Sequence, residues 1–140
     1  MRKYYLFIIK NDYYKVYKKN PEVLYKTLYN LYKIKTNNLT YGLSLYDNLC
    51  SVNSKKLLIN YIKNKYEHEF ISPKIIKLKL YKEKTFIQIN YSCIIVVTSV
   101  NVPEIFKIIN IYNKKIFVCD FILNDYFWLN EQIKKVRWTL

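Results

Sequence analysis

The sequence predicts a single α+β domain over residues 1–140, in which an N-terminal strand and helices pack on a mostly antiparallel sheet. Three observations support this fold class. The length suits one domain with a real core, and about half of the residues (51%) are apolar. Leu24, Leu28 and Leu31 recur at helical spacing in the first half. After Pro73 the apolar period changes to two, which is typical of strands. Helices early and strands late indicate the α+β class.

The first half of the chain predicts one buried strand followed by helices. Aromatic and β-branched residues dominate residues 3–10, as in a buried strand. Asn20-Pro21-Glu22 combines a cap, a proline at the first helical position and an early carboxylate, so a new helix begins there. The predicted elements are a strand at 3–10, helices at about 12–19 and 21–33, a loop at 36–42, and helices at 43–50 and from 53 or 54 to 66. In the last of these, Leu57, Leu58, Tyr61 and Ile62 are expected to face inward.

The second half predicts strands, one further helix and a loose tail. Ile76, Leu78 and Leu80 share one face of the first predicted strand, with lysines on the other. The charged triplet 67–69 is interpreted as a helix end, and the basic residues from Asn130 onward as a loosely held tail. The remaining predictions are a turn at 82–84, alternation at 87–91, a strand at 93–98, a helix at 103–111, a strand at 115–121, a turn at 124–125 and a strand at 126–129.

The charge balance suggests acidic partners, but an ordinary explanation of the excess is favoured. Lys and Arg number 24 against 10 Asp and Glu, a formal net charge of +14. Such an excess is typical of proteins that bind nucleic acid, acidic lipid or acidic protein. However, only Arg2 and Arg137 are arginines, and the abundance of Lys, Ile, Asn, Tyr, Leu and Phe resembles the drift of an AT-rich genome. Dispersed lysine without arginine is a poor reader of bases, so drift together with solubility is the favoured explanation of the excess.

We expect a cytoplasmic protein that does not enter the membrane. The apolar stretch 4–9 is too short for a signal peptide and has no small-residue cleavage site after it. No window approaches the roughly 18 apolar residues of a membrane span. Cys50, Cys93 and Cys119 are widely spaced in apolar contexts, which predicts reduced, buried thiols.

Residues for catalysis, metal binding or cofactor binding are sparse, so we expect no enzyme activity, no metal and no cofactor. His68 is the single histidine, and it lies among charged residues that predict a solvated position. One histidine and scattered thiols do not provide a metal-ligand spacing. Gly42, the single glycine, cannot form a phosphate-binding loop.

Direct nucleic-acid binding remains the alternative function. Lysines interleaved with tyrosines can form an electrostatic track with stacking rings, and residues 13–19 and 63–66 have this composition. No motif of a known nucleic-acid-binding module accompanies them. The alternative is therefore a small basic Lys/Tyr-rich nucleic-acid-binding protein.

The first helix carries a pair of tyrosines suited to a protein interface. Tyr13 and Tyr17 stand at i and i+4, so their rings project side by side. A short helix buries one stripe against a sheet, and Val16, with Tyr14, is the expected inward choice. Tyr13 and Tyr17 would then lie near solvent, where exposed aromatic pairs anchor partners. The alternative, that both rings cover the sheet edge with wet hydroxyls, stays open on these residues alone.

Both ends of the sequence resemble the sporulation inhibitor of replication protein (SirA) family. Residues 4–10, Tyr-Tyr-Leu-Phe-Ile-Ile-Lys, are followed by Asp12-Tyr13 and by Tyr17, similar to the family's opening strand, acidic residue and two aromatics. Asp120-Phe121 and then Tyr126-Phe127-Trp128-Leu129 resemble the family's closing Asp-Phe and Tyr-Gly-Trp-Leu signature at the same spacing. Phe127 departs from the usual Gly, and only Glu22 is kept of the family's Gly-Arg-Glu.

The resemblance implies a cytoplasmic regulator of replication made at the onset of sporulation. Family members bind the N-terminal domain of the replication initiator DnaA and block its assembly at the origin. The family's contact aromatics fall on Tyr13 and Tyr17 here, and a further contact falls somewhere in residues 45–48. The resemblance shifts the expectation for the tyrosine pair toward an interface. Asp120, Phe121, Tyr126 and Trp128 are interpreted as structural.

Overall fold

The computed structural model describes residues 1–34, 49–50, 55–90 and 93–139. These residues form an α+β fold whose sheet is antiparallel throughout, which confirms the predicted fold class. In chain order the elements are β1 (Arg2–Ile8), α1 (Asn11–Tyr17), α2 (Pro21–Tyr32), α3 (Lys55–Lys65), β2 (His68–Ser72), β3 (Ile75–Leu80), β4 (Glu83–Ile89), β5 (Ile94–Thr98), α4 (Ile105–Tyr112), β6 (Ile116–Asp120), β7 (Asp125–Trp128) and α5 (Leu129–Thr139). The predicted loop at 36–42 lies outside the described residues, as does all but the end of the predicted helix at 43–50.

The sheet runs in the order β2-β3-β4-β5-β1-β6-β7, with β1 near its centre. Residues 2–6 of β1 pair with β5 and residues 5–8 pair with β6. Because side chains alternate along a strand, β1 contributes Leu6 to a core on one face of the sheet and Phe7 to a core on the other. The sequence Lys-Tyr-Tyr-Leu-Phe-Ile at 3–8 is therefore apolar on both faces, as the central strand of a covered sheet requires.

One sheet face packs against α3, α4 and α5 through mainly aliphatic side chains, and we call this cluster the aliphatic core although it includes Tyr4 and Phe106. Tyr4, Leu6 and Ile8 of β1 point to this face, together with Leu58 and Ile62 of α3. The alternation predicted for β3 is confirmed, since Ile76 and Leu78 are buried on this face and Leu80 packs at its margin. Leu57 and Tyr61 are exposed, so the expectation that they face inward was wrong. Leu58 and Ile62, one turn apart, are the fully buried residues among those of α3 whose burial is described, and Ile59 packs beside them. Leu57 and Tyr61 are each rotated by about 100° from them around the helix.

The other face carries an aromatic core under α2. Phe7, Phe117 and Trp128 pack there against Leu24 and Leu28, which are fully buried as predicted. Tyr25 stacks on Tyr126, with ring centroids 4.7 Å apart, and its hydroxyl donates to Asn124 Oδ1 at 3.0 Å. We call this set the aromatic core; its buried members are Phe7, Ile9, Leu24, Tyr25, Leu28, Leu31, Leu49, Cys50, Cys93, Phe117, Cys119, Phe121 and Trp128.

Three further predictions, about the secondary structure of short segments, were wrong. The triplet 67–69 does not end a helix, because His68 begins the edge strand β2, which pairs with β3. The turn lies at Tyr81 and Lys82, whose φ is 58°, while Glu83 already belongs to β4. The tail from Asn130 is helical, and Leu129 and Ile133, one turn apart, are buried in the aliphatic core.

Candidate protein-binding surface on the first helix

The chain enters α1 directly from the central strand, which fixes where the helix starts. Ile9 N–H donates to the Lys115 carbonyl at 2.9 Å, and Lys10 N–H donates to the Leu49 carbonyl at 3.0 Å. The Lys10 carbonyl then accepts the first helical hydrogen bonds from the amides of Tyr13 and Tyr14. Lys115 Nζ also donates to Asn11 Oδ1 at 2.7 Å. The helix is therefore attached to the sheet at its N-terminal end.

Tyr14 is the side chain that anchors α1 to the body of the protein. Its ring meets the Trp128 indole edge to face, with centroids 5.0 Å apart and planes at 84°. The Nζ atoms of Lys18 and Lys115 lie 5.8 and 6.0 Å from the centre of the same ring. The expectation that Tyr14 points inward is confirmed, since it packs on the aromatic core. An aromatic contact of this geometry contributes about 0.5–1.5 kcal/mol beyond its buried area.

Val16 does not point inward, and this prediction was wrong. Its side chain is 60% exposed. With seven residues, α1 makes only two turns. Tyr14 takes the position on these turns that faces Trp128, so Val16 cannot also face the sheet. Val16 is therefore placed at i+3 from Tyr13 on the outer side of the helix.

The outward side of α1 presents an apolar triplet, Tyr13, Val16 and Tyr17. Tyr13 is 39% exposed, and Tyr17 is half-buried because one side of it packs on the aromatic core. Residues at i, i+3 and i+4 are neighbours on a helix surface, so the three form one patch. We call this patch the α1 face. Sequence reasoning identified its two tyrosines and missed Val16, which the same i, i+3 spacing could have revealed.

Charged and polar side chains border the α1 face. Asp12, Lys15 and Lys18 are exposed around it. A small apolar centre with a charged border is typical of a protein interface, where the centre contributes most of the affinity and the border excludes wrong partners. The tyrosines contribute large rings with little rotamer entropy to lose, and their hydroxyls can remain in water or find a partner.

The C-terminal residues that resemble the SirA signature, among them Asp120 and Trp128, support α1. Asp120 is buried, its Oδ2 accepts from Arg2 at 3.2 Å, and its Oδ1 accepts from the amides of Ile122 and Leu123. Trp128 is buried against Phe117 and carries the ring on which Tyr14 rests. These contacts agree with the structural interpretation of the motif. They also link the two ends of the sequence at one place in the fold.

The residues considered for catalysis pack as parts of the core and the sheet edge. Burial, more than any neighbouring charge, raises the pKa of the Cys50 thiol to about 12 and that of Cys93 to about 11. Both thiols are therefore protonated at neutral pH, as packed side chains. His68 is half-buried, not solvated on a helix end, and its Nδ1 lies 3.0 Å from the Tyr66 carbonyl oxygen. Within the described ranges, no three His, Cys, Asp or Glu side chains converge as a metal site would require.

The further contact expected in residues 45–48 lies outside the described residues. No protein-family model matches this chain, and neither does any curated protein sequence. In the part of the chain that the structure describes, no helix combines the length and apolar character needed to cross a bilayer.

Proposed function

We propose that this protein inhibits the initiation of chromosome replication by binding the N-terminal domain of the initiator DnaA during sporulation. In this proposal the α1 face docks on the initiator domain in the cytoplasm and blocks its assembly at the origin. The resemblance of the two chain ends to the SirA family supplies the identity of the partner. The observation that carries the proposal is the exposure of Tyr13 beside Val16 on a helix that Tyr14 and the central strand hold in place.

Docking of this kind requires apolar side chains that are accessible before the partner arrives. Tyr13 and Val16 meet this condition, and Tyr17 joins them at the boundary with the aromatic core. Because a fixed helix loses little conformational freedom on binding, more of the contact energy appears as affinity. A phenol that enters an apolar pocket must keep its hydroxyl hydrated or paired, since an unpaired buried hydroxyl costs about 1–3 kcal/mol.

Calorimetric titration against the isolated DnaA N-terminal domain tests the proposal. We expect Tyr13→Ala and Tyr17→Ala each to weaken binding by about 2 kcal/mol or more, as interface anchors do. Tyr61→Ala is the matched control, because Tyr61 on α3 is 41% exposed, close to the 39% of Tyr13. Thermal unfolding of each variant separates loss of binding from loss of fold. Unchanged affinity in both α1 variants would remove the interface, and so would a wild-type protein that does not bind the domain.

A basic groove favours nucleic-acid binding as a second candidate function. Lys63, Lys65 and Lys79 line an open cavity of about 560 Å³ together with Asn64, Tyr66, His68 and one carboxylate residue, Glu67. Cations beside an aromatic ring suit a phosphate backbone with stacked bases. This candidate requires tight binding to plain DNA or RNA that falls steeply as salt rises, whereas binding to the initiator domain should depend less on salt. Filter binding over a salt series distinguishes the two.

A further inference from the structure

One half of the aromatic-core side of the sheet is not covered by any described helix. On this side β1, β6 and β7 lie under α2, whereas β3, β4 and β5 present half-buried side chains. Ile75, Phe86, Ile95 and Val97 line a cavity of about 260 Å³ there, with Ile71 of the edge strand and the polar Gln88 between Ile75 and Ile95. We call the five apolar residues named here the open face. Contiguous apolar side chains on one surface mark sites of interaction more often than chance exposure.

The strand register shows how this surface is bordered. Directly opposed residues connect Lys77 to Phe86, Phe86 to Val97, and Val97 to Lys3 in a row across four strands. Opposed residues lie on the same side of a sheet, so a lysine stands at each end of this apolar pair. Two residues further along these strands, on the same side of the sheet, Lys79 and Lys84 oppose each other, and both are exposed.

The border is strongly basic. Within the described residues, none of Lys3, Lys77, Lys79 and Lys84 takes part in an ion pair. Glu69 is opposed to Lys77 at the end of the row, and it is the one carboxylate among these bordering positions. Four cations around an apolar centre attract a partner with negative charge at matching positions and repel a positive one.

Charge and ring content decide between the possible occupants. A second copy of this surface would oppose lysines with lysines, which disfavours a symmetric dimer. Single-stranded nucleic acid binds through several stacking rings, and the open face has one ring, Phe86, among aliphatic side chains. An amphipathic protein segment with apolar residues along one side and carboxylates at its borders matches both features.

We propose that the open face binds an acidic amphipathic segment of a partner protein. The apolar residues of the segment cover Phe86 and Val97, and its carboxylates pair with the bordering lysines. This surface lies on β3–β5, apart from the α1 face, and the proposal does not depend on the initiator as partner. Failure of one proposal therefore leaves the other standing.

The test uses synthetic helical peptides as probes of the full chain. One peptide carries leucine on one side and glutamate on the other, and its control carries lysine in place of glutamate. We expect the glutamate peptide to shift the methyl resonances of Ile75, Ile95 and Val97, and the lysine peptide to bind at least about tenfold more weakly. The double variant Lys77→Glu with Lys84→Glu should weaken the glutamate peptide by a similar factor of about ten.

A matched double variant controls for overall charge. Lys56→Glu with Lys134→Glu gives the same change in net charge at exposed positions on α3 and α5, and should leave affinity within about twofold. Equal binding of both peptides, or equal loss in both double variants, would overturn the proposal. So would tighter binding of oligo-dT at the same methyls, concentration-dependent dimerisation through them, or methyls already shielded from a soluble nitroxide in the protein alone.

Discussion

The first two helices, α1 and α2, differ in how many of their side chains are buried. The twelve-residue helix α2 buries four residues, Leu24, Tyr25, Leu28 and Leu31. The seven-residue helix α1, all of which the structure describes, has no buried residue; its half-buried rings Tyr14 and Tyr17 pack on the aromatic core, and Tyr14 meets Trp128 edge to face. Both helices leave apolar side chains accessible, Val16 on α1 and Val23 on α2 among them, but only α2 has a buried stripe beside them.

This difference separates stability from binding along a short stretch of chain. Side chains of α2 interact with the sheet, so their loss should lower the free energy of unfolding. Tyr13 and Val16 of the α1 face are exposed, so their loss should affect a partner instead, whereas Tyr17 also packs on the aromatic core. Substitutions in the two helices can therefore test the functional proposal without confusing it with folding.

The largest effect should come from the buried side of α2. Leu28 is a fully buried member of the aromatic core, so Leu28→Ala removes apolar contacts and leaves a cavity. We expect it to lower the free energy of unfolding by about 2–5 kcal/mol, measured by denaturant titration. Val23 on the same helix is 52% exposed, and Val23→Ala should change stability by no more than about 0.5 kcal/mol. Equal losses in the two variants would contradict the assigned orientation of α2.

A smaller effect should follow from loosening α1. Tyr14→Ala removes the edge-to-face contact with Trp128, and we expect a loss of about 1–2 kcal/mol in unfolding free energy. Affinity for the initiator domain should fall as well, because α1 is no longer held in place. Tyr14→Phe keeps the ring and should restore both quantities. If Tyr14→Ala weakens neither, Tyr14 is not the anchor.

Val16 should affect binding alone. Val16→Ser removes apolar surface from the α1 face while leaving the core untouched, so we expect about 1 kcal/mol less binding energy with the initiator domain. Unfolding free energy should change by about 0.5 kcal/mol or less. Val23→Ser on α2, at a similarly exposed position outside the α1 face, is the control for a change of helix propensity. A Val16→Ser protein that binds as tightly as the wild type would exclude Val16 from the contact.

The last prediction concerns the free energy of unfolding, which should fall at alkaline pH as the buried thiols ionise. In the folded protein the pKa of Cys50 is raised from 9.0 to about 12 and that of Cys93 to about 11, chiefly by burial in the aromatic core. The unfolded chain loses these protons first, so stability is fully present below about pH 9 and falls as pH rises toward about 12. Cys50→Ala should make the decline shallower in denaturant titrations across this range. An unchanged slope would show that the buried thiols do not govern it.

The sequence predicted those elements whose side chains follow one dominant period. Pro21 and the leucines at 24, 28 and 31 located α2 and its buried side, because four apolar contacts leave little choice of orientation. The alternation in β3 was equally clear. In α1 no stripe dominates, and contact with Trp128 from the far end of the chain decided that Tyr14 and not Val16 turns inward.

The missed elements depend on distant partners. The polar residues at 67–69 gave no strand signal, and β2 exists because its backbone pairs with β3 at the sheet edge. Leu129 was predicted as the end of a strand and Ile133 as part of a loose tail, although both belong to the helix α5. Their spacing of one turn becomes informative only when an aliphatic core is available to receive it. The open face was not predicted either, because a sequence shows that a side of a strand is apolar but not whether another element covers it.

Hydroxyl-radical footprinting with the DnaA N-terminal domain tests the central claim most directly, since it reports the accessibility of individual rings. Tyr13 and Tyr61 are similarly exposed, at 39% and 41%, so both should oxidise at similar rates in the protein alone. On addition of the initiator domain, we expect oxidation of Tyr13 to fall several-fold while that of Tyr61 stays unchanged. Saturating initiator domain that leaves Tyr13 as reactive as before would contradict docking through the α1 face.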